Sequence, residues 1–306
     1  MTRRTLWLWV GQGALAALLA GFVWRSVARN WDAFRQVDIA LAIDPLLVGL
    51  AAAIVLGTYG LLIEAWRRIL AGWGERLPLR RAVTIWSVSN LGRYLPGKVW
   101  SIAGLAVLAR RAGTSGWAAA GSAVAMQALA VGTGAAVAVL AVPGALTVGQ
   151  GAAALLAAIA AVGLLTWDRL TRSVASTIAP RSGLRALPWP TALTAAAITS
   201  VSWCAYGVAF WLLARGLLPT PALGLRTAIG VFAAGYLVGL LAVFAPGGVG
   251  VRELVFVGLL TPTMGSGPAL ALTLGSRLLL TATEVGAALA GVWIGRSQRF
   301  LKEDAA

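Results

Sequence analysis

The chain has 306 residues, 59% hydrophobic and only 11% charged, against about 25% charged in an ordinary soluble domain, and this composition is that of a polytopic membrane protein. There is no His and a single Cys, Cys204, which excludes a disulfide framework, a His-based metal site and imidazole catalysis. The net charge of +15 does not point to nucleic acid, because the basic residues fall in short segments between apolar runs rather than along one amphipathic face.

In chain order, the first apolar run is Leu6 to Trp24, preceded by Arg3 and Arg4. It imitates a signal peptide, but it reaches the roughly 20 residues needed to span and lacks a convincing small-residue cleavage site, so it is read as an anchor. Further spans are expected at Pro45 to Ile63, Trp117 to Val142, Gly149 to Trp167, Trp189 to Ala214 and Pro268 to Ile294. Two more regions, Ala82 to Ala109 and Thr227 to Leu260, are interrupted by Pro-Gly and by charge, and each reads as two short helices meeting at a break. The expected fold is therefore an all-α polytopic membrane protein, a single integral membrane domain over residues 1–306. It has six full spans and two re-entrant or half-helix regions, eight apolar regions in all. Trp7, Trp24, Trp66, Trp117, Trp167, Trp189 and Trp293 lie near the ends of apolar runs, where an interfacial belt of indoles is expected.

Charge fixes an expected orientation. With the N-terminus in the cytoplasm, the inside cations are Arg3, Arg4, Arg67, Arg68, Arg76, Arg80, Arg81, Arg110, Arg111, Arg169, Arg172, Arg181, Arg185, Arg296, Arg299 and Lys302, sixteen in number. The outside cations are Arg25, Arg29, Arg35, Arg215 and Arg226, five in number. Both termini are thus expected in the cytoplasm, in a bacterial-type inner membrane. Parity does not distinguish re-entrant hairpins from pairs of thin spans. The segments 67–81 and 169–185 offer anionic lipids a basic surface, although topogenic charge explains them equally well.

The two broken regions resemble one another. LRRAVTIW at Leu79 to Trp86 parallels LRTAIGVF at Leu225 to Phe232, and PGKV at Pro96 to Val99 parallels PGGV at Pro246 to Val249. An internal repeat over 79–111 and 225–264 is expected, its copies entered from opposite sides of the membrane. That is the pattern of an inverted-repeat transporter, in which interrupted segments mark the binding site.

Pro96-Gly97 and Pro246-Gly247-Gly248 leave backbone groups without helical partners, tolerable in a membrane only inside protein or against a wet cavity. Four cations remain at or near the breaks or within a span: Arg93, Lys98, Arg252 and Arg277. Set against Glu253 and Glu284, they leave an excess of +2. Intramembrane charges cost about 2.5–3.5 kcal/mol each even on the lenient insertion scale. They therefore mark a buried ion-pair network or, if they converge, a site for an anionic headgroup, to which Arg donates paired hydrogen bonds. Half-helices beginning after each Pro-Gly would add N-terminal amides. Walker, dinucleotide and Cys/His metal motifs are absent from the sequence, and no cofactor is expected.

NLGRYLPGKVW at Asn90 to Trp100, VLARRAG at Val107 to Gly113 and APGGVGVRE at Ala245 to Glu253 resemble the signatures of the lysylphosphatidylglycerol synthase transmembrane family, the flippase-like membrane proteins. The resemblance implies a membrane part that binds or moves lipids. Its pattern marks Asn90, Pro96, Gly97, Pro246, Gly247, Gly248, Gly250 and Glu253, whereas Lys98 stands where some members have an acidic residue. Full-length synthases carry a soluble aminoacyl-transferase domain after the membrane part, and this chain ends at Ala306 soon after the last span, so lysyl transfer is not expected. The leading expectation is a transporter-like protein that binds an anionic lipid, a phospholipid or a polyprenyl-phosphate-linked one, and flips it across the membrane. The alternatives are an enzyme that modifies a lipid headgroup and a scaffold that partners an envelope-synthesis enzyme. No nucleic-acid partner is expected.

Overall fold

The computed structural model describes residues 42–94, 99–141, 147–169, 172–173, 186–219, 222–242 and 245–303. The expected first span, Leu6 to Trp24, and the residues Pro96, Gly97 and Lys98 lie outside the described residues. Those described form nine α-helices and no strand: α1 (Pro45–Gly72), α2 (Leu79–Asn90), α3 (Val99–Arg111), α4 (Gly116–Ala141), α5 (Val148–Thr166), α6 (Trp189–Leu217), α7 (Leu225–Leu241), α8 (Val251–Met264) and α9 (Ser266–Glu303). Five of them, α1, α4, α5, α6 and α9, contain segments long and apolar enough to cross a membrane, and these are the five expected spans within the described chain.

α1 begins where Asp44 accepts hydrogen bonds from the Leu46 and Leu47 amides at 2.9 and 3.2 Å, with Pro45 pre-set for the first turn. It runs antiparallel to α6. The Asp44 amide donates to the Gly216 carbonyl at 2.9 Å, and at the other end Gly72 lies against Leu187, just before α6 begins. Lipid offers no hydrophobic drive for helices to associate, so close packing of small residues does that work. A Cβ on Gly132 of α4 would come within 2.8 Å of Ala161 of α5, and one on Gly207 of α6 within 2.4 Å of the Ile229 backbone of α7.

α1 also carries a correction. The apolar run was expected to end at Ile63, with Trp66 in the interfacial belt, yet the helix continues to Gly72 and Trp66 is fully buried. Its indole donates to Ser122 Oγ at 2.7 Å and tilts against Trp86 at 5.7 Å between centroids. The charges that seemed to end the run occupy one face, where Glu64 pairs with Arg67 at 2.5 Å and with Arg68 at 3.0 Å. Ala65, Trp66, Ile69 and Leu70 bury the other. Trp117, Trp167, Trp189 and Trp293 are exposed, as a belt requires.

The two broken regions are helical hairpins. In the first, Arg81 reaches the Ala112 carbonyl at 3.3 Å, Gly104 lies against Ser89, and Gly92 lies against Ser101; the three pairs are arranged symmetrically about the break, as only an antiparallel return produces. In the second, Gly239 lies against Arg252 and Gly235 against Phe256, with the same symmetry. The arms have 12, 13, 17 and 14 residues, about 18–26 Å at 1.5 Å per residue, short of a hydrocarbon core of roughly 30 Å.

Both hairpins lean on α9 and enter from opposite ends of it. Thr84 of α2 donates to the Gly291 carbonyl at 3.0 Å, so the mouth of the first hairpin is at the C-terminal part of α9. The second hairpin passes directly from α8 into the start of α9 at Ser266. Their tips, the short 3-10 turns Leu91–Tyr94 and Pro246–Gly248, meet at the middle of α9: the Gly247 backbone lies against the Tyr94 ring.

Candidate functional site

The tips are irregular for local reasons. α2 loses its helical ladder at the 3-10 turn 91–94, just before the Pro-Gly pair. The second tip has Gly247, Gly248 and Gly250 at φ of 59°, 70° and 83°, a left-handed region that strains any residue with a side chain. α8 then begins at Val251, and Glu253 folds back so that its Oε2 accepts the Gly250 amide at 2.6 Å, half of a capping box.

α9 presents one face to both tips. Its membrane segment runs from Ser266 to Gly295, and Arg277 and Glu284, two turns apart, flank the midpoint. Glu284 takes the first tip: its Oε1 accepts from Arg93 Nη1 at 2.6 Å and its Oε2 from the Tyr94 hydroxyl at 2.5 Å. Arg93 also donates to the Tyr236 hydroxyl at 2.8 Å and to Asn90 Oδ1 at 3.0 Å. Arg277 takes the second tip, where its Nη1 donates to the Gly247 carbonyl at 3.0 Å and lies 3.2 Å from Glu253 Oε1. The same oxygen lies 3.5 Å from Arg252 Nη2. The Arg252 guanidinium sits over the Tyr236 ring at 5.6 Å and the Phe256 ring at 5.9 Å, a cation–π arrangement.

These groups bound a cavity of about 190 Å³. Asn90, Arg93, Gly247, Gly248, Arg252, Arg277 and Glu284 line it; Glu253 braces it from behind through Arg277, and Gly250 holds Glu253. Pro246 opens the second tip. The opposite wall is apolar, with Ile102 and Leu105 of α3 and Ala123, Met126 and Ala130 of α4. Tyr59 is the fifteenth of the 28 residues of α1 and Trp203 the fifteenth of the 29 of α6. Both line the cavity, so it lies at mid-depth.

The sequence reading missed the tyrosines. The chain has four, Tyr59, Tyr94, Tyr206 and Tyr236, and all four line this cavity. A signal was available, since each lies within an apolar region rather than at its interfacial end, and a buried hydroxyl requires a partner. Gln127, a lone amide in the apolar run of α4, lines the cavity as well.

Three guanidinium groups against two carboxylates leave an excess of +1 among the described residues. Both carboxylates are held by arginine, and no group of His, Cys, Asp and Glu capable of holding a metal occurs among the described residues. The family model for the lysylphosphatidylglycerol synthase TM region matches residues 9–285, a stretch that contains both hairpins and ends one residue past Glu284. No curated protein matches the chain significantly.

Proposed function

Because the chain belongs to the lysylphosphatidylglycerol synthase TM region family, multi-pass membrane proteins connected with lipid handling, we propose that it binds an anionic lipid and carries it between leaflets. The lipid is a phospholipid or a polyprenyl-phosphate-linked one. Its headgroup enters the mid-depth cavity while its tails stay along the apolar wall of α3 and α4. The observation that carries this reading is the meeting of cations from both hairpin tips in one cavity with too few carboxylates to neutralise them. A dehydrated anion there gains charge-assisted hydrogen bonds that a neutral lipid does not.

The hairpins are read as two copies of one unit, inverted relative to each other, as in transporters whose site lies where interrupted segments meet. The arginine bias supports both termini in the cytoplasm, with the first hairpin opening to the cytoplasm and the second to the far side of what this reading takes as an inner membrane. Since both carboxylates are occupied by guanidinium groups, binding is favoured over acid–base catalysis on the headgroup.

Mass spectrometry of lipids retained by the purified chain tests the reading. Wild type is expected to be enriched in one anionic class relative to the host membrane, and Arg252→Ala, at equal folded yield, to lose that enrichment. A retained profile equal to bulk lipid in both proteins would contradict it.

A further inference from the structure

The three cavity arginines are not equivalent. Arg93 spends its donors on Glu284, Tyr236 and Asn90. Arg252 and Arg277 instead converge on a single atom, Glu253 Oε1, so two cations share one carboxylate. Both are deeply buried, at 6% and 3% exposure. Each keeps a buried donor, Arg252 Nε and Arg277 Nη2, that meets no acceptor among the described residues. Buried donors without acceptors are rare and costly, more so when charged. Here two occur on adjacent guanidinium groups that line one cavity, beside a pair lacking one unit of negative charge.

We infer that Arg252 Nε and Arg277 Nη2 are the seat of a phosphodiester monoanion. The inference rests on the lipid-binding reading and narrows it to a class of headgroup. One tetrahedral group has two non-bridging oxygens, one for each guanidinium, and the two guanidinium groups are near enough to share one Glu253 oxygen through Arg252 Nη2 and Arg277 Nη1. Its single charge neutralises the pair together with Glu253, whereas a phosphomonoester dianion would overshoot. Glu253 keeps its place, since the Gly250 amide holds its other oxygen. A neutral lipid offers acceptors but no charge to balance the pair. The same chemistry is offered by a phospholipid or by the monoanion of phosphate from solution.

The test uses the full chain in a neutral maltoside detergent, with native mass spectrometry of bound dioctanoyl phosphatidylglycerol, dioctanoylglycerol and inorganic phosphate. Wild type is expected to bind the phosphatidylglycerol at least about tenfold more tightly than the neutral lipid. Arg252→Gln, and the charge-balanced double variant Arg277→Gln with Glu253→Gln, should each lose about tenfold or more. Arg252→Lys, which keeps the charge but not Nε, should restore only part of the loss. Arg226→Gln, on an exposed arginine bonded to the Leu140 carbonyl, should bind as wild type does. Competition by inorganic phosphate in wild type alone supports a seat reached from solution. Arginine dependence without such competition supports a seat reached through lipid. Tight binding of phosphatidylglycerol that survives all the Arg252 and Arg277 changes overturns the seat and leaves the lipid-binding reading standing. Equal binding of the charged and neutral lipids by wild type removes the reading itself.

Discussion

Arg93 and Glu284 tie the first hairpin to α9, and the pair is mostly shielded, with side-chain exposures of 27% and 10%. Removing one member of such a pair strands the other, which typically costs about 3 kcal/mol, while removing both costs much less. Glu284→Gln is therefore expected to lower the thermal unfolding midpoint in detergent more than the double variant Arg93→Gln with Glu284→Gln does. Additive losses would show that the two residues do not act as a pair. At this scale the sequence was informative about charge and silent about partners. Intramembrane cost singled out Arg93, Arg252, Arg277, Glu253 and Glu284, but the pairing of Glu284 with Arg93, 191 positions away, is a tertiary contact that no local pattern encodes. The tyrosines went unread for a related reason: a lone aromatic in an apolar run looks like core until the cation it serves is known.

At the scale of the element, the second hairpin turns on three left-handed glycines, and the space around them differs. A Cβ on Gly248 would sit 3.1 Å from the Gly239 carbonyl oxygen on the facing arm, whereas one on Gly250 would meet nothing within 4 Å. Gly250→Ala should thus cost backbone strain without crowding. Gly248→Ala adds crowding between the arms and should lower the unfolding midpoint further; equal effects would mean that the arms are not held together at the tip. The breaks themselves were legible because Pro and Gly act locally. Their conversion into hairpins was not, because parity is blind to whether a chain returns. The run ending at Ile63 failed for a different reason, in that a hydropathy average registers Glu64, Arg67 and Arg68 but not the fact that they share one face and leave Trp66 and Ile69 on the other.

For the whole molecule, two hairpins enter from opposite ends of α9 and meet tip to tip at mid-depth, each pinned by an ion pair to one helix. α9 is thus the common strut to which both tips are fixed. The same frame explains why a cavity with a polar and an apolar wall forms where it does: the tips supply the backbone and charge that hydrocarbon rejects, and α3 and α4 supply apolar side chains. Movement of an anionic lipid through this cavity is the function proposed above. It is tested most directly by reconstituting the chain in vesicles and following the dithionite-accessible fraction of fluorescent phosphatidylglycerol with time. Leaflet exchange is expected to be faster with wild type than in protein-free vesicles, and to stay near the protein-free rate for Arg252→Gln incorporated to the same density. Wild-type exchange no faster than that of empty vesicles, or acceleration that Arg252→Gln fully retains, would contradict it.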